Sequence, residues 1–492
     1  MDNAILIEKT RQLLLMNADV LPLDLCSLAN AWVAIKDHRM AHALYNKAYT
    51  LAPNDDVVME AYVSFLCALN KQREALDLLL HAHNDINYSA ARIGWIHTLA
   101  HLKSTDDIDF PILKDFQHYC LENNIPVKQV AASETLYLSP IHSFPKTHTD
   151  TLHGFYDTHP VYMAEVPNAI VTAESHAFFA GDSAIREEFS LLHRDDLVLN
   201  DERDKLIIYI PTLRSPAKRG IANKRMVDEE VEELVLNLIG STCSNYYHWL
   251  IEWVPRIMVL DEINEPVKLL IRKQVPEQFK EIIRVVTGGR YQILESGTDN
   301  CVSVKRLIHT NGWATMPCDI RADKRPLLQD TLISPKSIFW LREKTKHLRT
   351  DCLATRKIYL KRLGDSRRSL INSDEVESLV QEYGFEIVVP ETLSFSDQVR
   401  IFSEASIVIG QAGAALANIV FCNPGALVVP IAVGEGSHAD YSVFAKLAQI
   451  VNLNLTYFLT NENAADHTYK SFVTFYVDQS SFKQYLDTLN DI

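Results

Sequence analysis

One segment of the sequence places four polar side chains at helical spacing among large apolar residues. They are Asn245, His248, Glu252 and Arg256. On a helix the intervals of three, four and four residues put them in one narrow stripe. A helix that is apolar on most of its circumference loses about 1–3 kcal/mol for each buried polar group without a partner. The stripe therefore favours the lining of a cleft, with His248 or Glu252 as general base. The alternative is a wet helix face with Asn245 as its cap.

A second segment is an apolar strand that ends in a basic loop. Four cations follow the strand within eight residues: Lys361, Arg362, Arg367 and Arg368. Residues 336–370 hold eleven Lys and Arg against three acidic residues, a net charge of +8. Arginine forks match phosphate oxygens, so this loop suits a diphosphate at the carboxyl end of a strand. The alternative is a solvated basic loop.

A third segment is a turn of small residues between a strand and a helix. It contains Gly410, Gln411, Gly413 and Ala414, and Asn418 follows on the helix. Small residues let backbone N–H groups approach a phosphate at the positive end of a helix. Glycines also serve tight packing alone. Upstream, Glu391 follows another strand, where it could hold two ribose hydroxyls or cap the next helix.

These segments lie in two blocks in which strands and helices alternate. Strands are predicted at 234–239, 267–271, 291–294, 357–360, 386–389, 406–409 and 426–431. Helices are predicted between them, among them 245–262, kinked at Pro255, and 394 onward, capped by Ser394 and Asp397. Such alternation indicates parallel sheets covered by helices on both faces. Two blocks in tandem predict two doubly wound domains facing a cleft, with ligands at the carboxyl ends of the strands.

The N-terminal part has a different pattern, an internal repeat of 34 residues. Ala41 and Ala75 are one repeat apart, as are Ala48 and Ala82. This period is typical of the tetratricopeptide repeat, whose stacks present a groove to a protein partner. A further helix pair is predicted near 89–101 and 110–123. A small helical domain is the alternative. The predicted division is a helical region at 1–128, an α/β domain with a β-rich lead-in at 129–335, and a second α/β domain at 336–492.

The composition of the chain limits the classes of partner and the cellular compartment that can be expected. The net charge is -15 over 492 residues, which argues against nucleic acid as a partner. No apolar run reaches the about 18 residues of a membrane helix, and the first residues do not have the pattern of a secretion signal. The eight cysteines form no Cys-x-x-Cys pair, which indicates free thiols in a reducing compartment. A cytoplasmic protein is expected, with at most peripheral association at the inner face of the membrane.

Taken together, the motifs resemble the family 61 glycosyltransferases, including members that synthesise bacterial capsules and polysaccharides. The resemblance covers about residues 155–435 and rests on segments 245–256, 358–362 with Arg367, Arg368 and Asn372, 384–391, 393–398 and 409–418. It implies two Rossmann-like domains in the arrangement called GT-B. It also implies an inverting transfer from a nucleotide sugar, with a UDP-sugar expected first, to a saccharide acceptor. No cofactor and no metal are implied.

The resemblance also suggests roles for the residues. The acceptor would bind at Asn245, Tyr247 and Arg256, next to the catalytic His248 and Glu252. The donor would bind at the basic loop, Glu391 and the small-residue turn. Two positions depart from the family pattern: Ala412 replaces a histidine, and the strand containing Val428 to Pro430 lacks a glutamate. These departures support a rival hypothesis, a non-catalytic scaffold of a polysaccharide-assembly complex with a degenerate transferase body.

Overall fold

The structure of the protein is a computed structural model. It describes residues 10, 21–53, 55–71, 74–75, 78–79, 112–145, 153–172, 177–181, 183–186, 207–209, 220–222, 227–240, 242–296, 301–316, 328–350, 353–363, 370–434, 442–462 and 475–489. The chain divides into two compact units. The first comprises Met1–Phe110 with Thr212–Pro216, and the second comprises Pro111–Pro211 with Ala217–Ile492.

The described part of the first unit contains three consecutive helices. They are α1 (Pro22–Ala34), α2 (His38–Leu51) and α3 (Asp56–Ala68). Asp37 and Asp55 cap α2 and α3 by accepting hydrogen bonds from backbone N–H groups in their first turns. Ala41, Ala48 and Ala75 are completely buried where the helices pack, as the repeat pattern requires of its small residues. Ala82 and the predicted helix at 89–101 lie outside the described residues, and the assignment as a tetratricopeptide repeat stays a prediction.

The second unit begins with a mainly β segment. Its elements are β1 (Ile112–Asp115), α4 (Phe116–Glu122), β2 (Lys128–Ala131), β3 (Thr135–Leu138), β4 (His142–Phe144), β5 (Gly154–Asp157), β6 (Val161–Thr172), β7 (Phe178–Ala180), β8 (Ser183–Arg186), β9 (Ile207–Tyr209) and β10 (Gly220–Ala222). The expected repeat helix at 110–123 is therefore wrong in its first half. Residues Ile112–Asp115 pair in parallel with β8, and Asp115 caps a helix that starts only at Phe116.

Strands and helices then alternate. The elements are β11 (Val227–Asn237), a mixed helix in three parts (Tyr246–His248, Trp249–Trp253 and Val254–Glu262), β12 (Lys268–Arg272), α5 (Glu277–Thr287), β13 (Ile293–Ser296), β14 (Cys301–Thr310), β15 (Ala314–Thr315) and β16 (Leu332–Ile333). The parallel part of this first sheet has the order β13-β12-β11-β14. The strand order reverses between β11 and β14, which makes their carboxyl ends a topological switch point.

The remaining elements build a second sheet. They are α6 (Pro335–Lys344), a 3₁₀ turn (Lys346–Leu348), β17 (Arg356–Leu360), α7 (Ser373–Glu382), β18 (Glu386–Val388), a 3₁₀ turn (Pro390–Thr392), α8 (Phe395–Glu404), β19 (Ala405–Gln411), a 3₁₀ helix (Ala414–Phe421), β20 (Leu427–Val433), α9 (Ser442–Ile450), β21 (Asn454–Glu462), β22 (Phe475–Tyr476) and α10 (Gln479–Thr488). Its parallel strands have the order β18-β17-β19-β20-β21. The switch point lies between β17 and β19.

The two sheets of the second unit share one hydrophobic cluster. It includes Leu236 of β11, Trp249 of the mixed helix, Ile282 of α5, Phe402 of α8 and Val408 of β19, all buried. In addition, β4 lies early in the chain but pairs with β21 of the second sheet. The described residues of the two sheets are thus packed together on a common core.

Candidate active site

The first candidate segment forms a helix whose hydrogen-bond spacing changes twice. It starts as α at Tyr246, widens to a π turn over Trp249–Trp253, and tightens to 3₁₀ from Val254. Pro255 has no N–H to donate to the carbonyl of Ile251, so a regular α-helix is interrupted here. Widened π turns occur often at functional sites. The sequence correctly places the disturbance at Pro255, although the outcome is a change of helix type.

His248 and Glu252 face each other on this helix. His248 Nδ1 lies 2.6 Å from Glu252 Oε2, and only 3% and 7% of the two side chains are exposed. An ionised carboxylate can only accept, so Nδ1–H is the donor and Nε2 is left to accept a proton. Glu252 Oε1 is buried and accepts no hydrogen bond from the described residues. Such a pair is the arrangement in which a carboxylate orients a histidine base.

The other members of the predicted stripe have different surroundings. Asn245 caps the helix by accepting from Tyr247 N at 3.0 Å. Arg256 donates to the carbonyl of Thr310 at 2.9 Å and lies over the ring of Trp253 at 4.2 Å. Arg256 therefore ties the helix to the end of β14, and it does not extend the His248–Glu252 pair. Its role and that of Asn245 as acceptor-binding residues stay predictions.

Tyr247 lies beside the pair. Its ring meets the His248 ring edge-on at 5.6 Å and the Phe444 ring of α9 at 6.3 Å. Only 3% of Tyr247 is exposed. The ring therefore forms part of the wall that fixes the imidazole, which is a more enclosed position than a residue that binds an acceptor at the surface would have.

The second and third candidate segments meet at the switch point of the second sheet. Arg362 follows β17 and Gly413 follows β19. A methyl group built on Gly413 would lie 4.0 Å from Arg362 Nη1 and 3.7 Å from the carbonyl oxygen of Gln411. Ala414 begins the 3₁₀ helix, whose first N–H groups have no partner within the helix itself. A cation and the amino end of a helix thus lie together, as a phosphate requires.

The other cations predicted for the donor differ in availability. Lys361 donates to Glu377 of α7 at 2.8 Å, and this hydrogen bond raises the pKa of Lys361. Its charge is therefore already compensated. Glu391 is exposed in the turn after β18, at the same edge of the sheet as Arg362. Arg367 and Arg368 lie outside the described residues.

Gly410 has a packing role. A methyl group built on it would lie 2.8 Å from Leu360 Cβ, closer than real Cβ atoms approach. The glycine therefore lets β19 lie against β17. The next residue, Gln411, ends β19 half-buried, and its Oε1 is buried without a hydrogen bond from the described residues. Gln411 stays a candidate for donor binding.

Asn418 corrects the sequence prediction. It is completely buried, and it accepts from Tyr246 at 2.6 Å while donating to Gln398 at 2.7 Å and to the carbonyl of Ala415 at 3.2 Å. A residue with its amide enclosed and satisfied in this way supports the structure beneath the turn. The sequence missed Tyr246, which joins the helix of His248 to the helix after Gly413.

A second link between the sheets was also not visible in the sequence. Glu281 of α5 accepts hydrogen bonds from the backbone N–H groups of Phe395 and Ser396 and from the Ser396 hydroxyl. It therefore caps α8 across the sheets, where a carboxylate is favoured by the helix dipole. The only signal in the sequence was the acidic residue itself, on a predicted helix.

The two positions that depart from the family pattern, Ala412 and Pro430, both lie near the carboxyl end of β19. Ala412 donates its backbone N–H to the carbonyl of Ile431 at 2.9 Å. Pro430 lies opposite Gly410 in the register of β19 and β20. Within the described residues, no group of three metal-ligating side chains is found, and no helix there is long and apolar enough to cross a bilayer.

Fold and site together define an α/β protein with a buried histidine–carboxylate pair on the helix that follows β11 and a cation beside a helix start at the switch point of the second sheet. Residues 246–429 match the family model described as Glycosyltransferase 61. The matched range contains the mixed helix with His248 and Glu252 and the switch point between β17 and β19, and it lies inside the range indicated by the sequence motifs. It supports a glycosyltransferase. A search of curated proteins found no match.

Proposed function

We propose that the protein is an inverting glycosyltransferase of the GT-B arrangement that uses a nucleotide sugar and needs no metal. The carboxyl ends of β17 and β19 would hold the donor, and the mixed helix after β11 would face the acceptor. The matched range and the strand orders of the two sheets support this proposal, because α/β sheets with such strand orders generally bind ligands at their switch points. The observation that carries it is the buried His248–Glu252 pair.

In the proposed reaction His248 Nε2 takes the proton of the acceptor hydroxyl. The hydroxyl oxygen forms a bond to the anomeric carbon from the face opposite the nucleotide, and the bond from that carbon to the diphosphate oxygen breaks. Glu252 holds the imidazole and stabilises the imidazolium that forms. Arg362, with Arg367, Arg368 and the start of the 3₁₀ helix, neutralises the charge that develops on the departing diphosphate.

The finer assignments belong to the same proposal. The donor is a UDP-sugar, the acceptor is a saccharide of a capsular or surface polysaccharide, and the enzyme works in the cytoplasm at the inner face of the membrane. The helices of the first unit bind a protein partner of the assembly complex. No nucleic acid takes part, consistent with the net charge of -15.

The test separates donor binding from transfer. Thermal-shift measurements with UDP-, GDP-, CMP- and dTDP-sugars identify the donor, and single-turnover assays then follow its consumption. His248→Ala should bind the donor normally and lose transfer about 10²- to 10⁴-fold. Arg362→Ala should lose donor stabilisation. The exposed residues His142 and Arg290 provide controls, since His142→Ala and Arg290→Ala should match the unaltered protein.

Two outcomes would contradict the proposal. Normal donor binding by Arg362→Ala would remove the phosphate assignment, and normal transfer by His248→Ala would remove the base. If no nucleotide sugar stabilises the protein, the scaffold hypothesis is favoured instead.

A further inference from the structure

The second unit contains a cavity that the proposed reaction does not use. Its volume is 460 Å³, within the range of small-molecule sites. It is lined by Phe339, Arg342, Glu343, Lys346, Arg349, Thr350 and Asn423. These residues come from α6, from the segment that follows it, and from the end of the 3₁₀ helix at Ala414–Phe421.

The cavity lies at the amino edge of the second sheet. Thr350 N donates to Ser403 Oγ at the end of α8, and Asn423 Nδ2 donates to the carbonyl of Ser403. Both contacts precede the strands β17, β19 and β20, whereas Arg362 and Gly413 follow them. The five residues of β17 alone separate the two edges by about 15 Å. The cavity is therefore distinct from the proposed donor site.

Three of its seven lining residues are cations and one is an acid. Arg342 is anchored by Nη1, which donates to the carbonyls of Val420 at 2.5 Å and Cys422 at 2.8 Å. Arg349 is anchored by Nη2, which donates to Asn423 Oδ1 at 2.6 Å. These hydrogen bonds hold both guanidinium groups in fixed positions in the wall of the cavity. The anchored cations are thus preorganised.

Lys346 is the exposed cation of the group. Its ammonium makes no hydrogen bond or ion pair with the described residues of the chain. The pKa of Arg342 falls to about 10 because of its burial and the repulsion of Arg349. Like charges held together in this way favour the uptake of an anion. Phe339, with 54% of its surface exposed, adds an apolar wall to the cationic cavity.

We propose that this cavity is a second binding site, for a ligand that carries a phosphate group next to an apolar or ring-shaped part. Arg342 and Arg349 bind the phosphate oxygens, Lys346 closes over the charge, and Phe339 contacts the remainder of the ligand. The residues that line the cavity carry a net charge of two positive units, which complements the negative charge of a phosphate monoester. The ligand class includes soluble phosphate esters and the headgroups of anionic phospholipids.

The experiment uses the full-length protein with Arg362→Ala as background, so that the proposed donor site does not contribute. Calorimetry with phenyl phosphate, a phosphate monoester that carries a ring, tests the soluble source. Co-sedimentation with vesicles of phosphatidylglycerol and phosphatidylcholine, against phosphatidylcholine alone, tests the lipid source. Lys346→Ala removes a cation of the cavity. Lys344→Ala removes an exposed cation of α6 that does not line the cavity, and it is the matched control.

The expected result is binding to at least one probe that Lys346→Ala weakens about tenfold and Lys344→Ala leaves unchanged. Binding of phenyl phosphate identifies a soluble ligand, and binding of anionic vesicles alone identifies a lipid headgroup. Equal weakening by both substitutions would overturn the proposal, because it would show attraction by general positive charge. Absence of binding to either probe would overturn it as well. Neither outcome affects the proposed transferase site.

Discussion

His248 and Glu252 form the most specific chemical feature of the chain. Their 2.6 Å contact assigns separate roles to two residues that the sequence could not distinguish. The carboxylate accepts the hydrogen bond from Nδ1–H, which leaves Nε2 available to take a proton from the acceptor sugar. In the proposed reaction Glu252 thus positions the base and His248 is the base. The second carboxylate oxygen is buried without a hydrogen bond from the described residues. This destabilises the folded state, and a residue with a purely structural role would not retain it.

Glu252→Gln tests this division of roles. The amide oxygen can still accept from Nδ1–H, so the imidazole stays in place, but the negative charge that stabilises the imidazolium is lost. We expect kcat to fall about 10²- to 10⁴-fold with donor affinity unchanged. Initial rates and donor titrations measure the two quantities. Glu262→Gln, an exposed change on the same helix, should have no effect. A variant that loses donor affinity together with kcat would show that Glu252 supports the fold instead.

Other residues of the site show what sequence spacing could not decide. Arg256 has the helical spacing of the stripe, yet it binds the carbonyl of Thr310, a partner 54 residues away that no local pattern reveals. Asn418 lies in a segment of small residues typical of phosphate binding, yet Tyr246 and Gln398 enclose it. Residue type and spacing placed His248 and Glu252 on one helix face, because both lie on one element, but the hydrogen bond between them became visible only in the structure.

The elements were more predictable than the contacts. The alternation of strands and helices correctly predicted β11 to β13 and β17 to β20, because each of these buried parallel strands is a short apolar run between turn residues. It missed β14, whose apolar residues are interrupted by Ser303, Lys305 and Arg306. The capping pair Ser394 and Asp397 correctly predicted the start of α8. Helix type was not predictable, since the π turn at Trp249 and the 3₁₀ helix at Ala414 depend on how Pro255 and the neighbouring sheet fit the tertiary packing.

The close approach of β17 and β19 gives a prediction about the second sheet. Gly410→Ala puts a methyl group 2.8 Å from Leu360 Cβ, so the strands must separate where the donor loops begin. We expect the free energy of unfolding to fall by about 1–3 kcal/mol, measured by urea denaturation. Gly413→Ala is the matched control. Its methyl group meets no atom closer than 3.7 Å, and its φ of -171° is ordinary extended backbone. Equal losses in both variants would contradict the packing role of Gly410.

At the scale of the whole molecule, the charge is unevenly distributed. The total of -15 argues against nucleic acid, but the +8 of residues 336–370 is divided between two edges of the second sheet. Arg362 lies at the carboxyl edge, while Arg342, Lys346 and Arg349 line the cavity at the amino edge. Charge counting predicted one phosphate site in this region. The structure separates the cations into two groups, because a strand of five residues runs between them.

The common core of the two sheets leads to a prediction about cooperativity. The sequence indicated two domains facing a cleft, whereas Ile282 beside the first sheet and Ile358 in the second are completely buried in one cluster. We expect Ile282→Ala and Ile358→Ala each to cost about 2–5 kcal/mol. Both should lower the same calorimetric transition by about 3–6 °C, since a shared core unfolds as one unit. Leu353→Ala, at a position 89% exposed, should leave the transition in place. If the two isoleucine variants shift different transitions, the sheets unfold as separate domains, and the interdomain closure expected of a GT-B enzyme becomes the better account of how donor and acceptor meet.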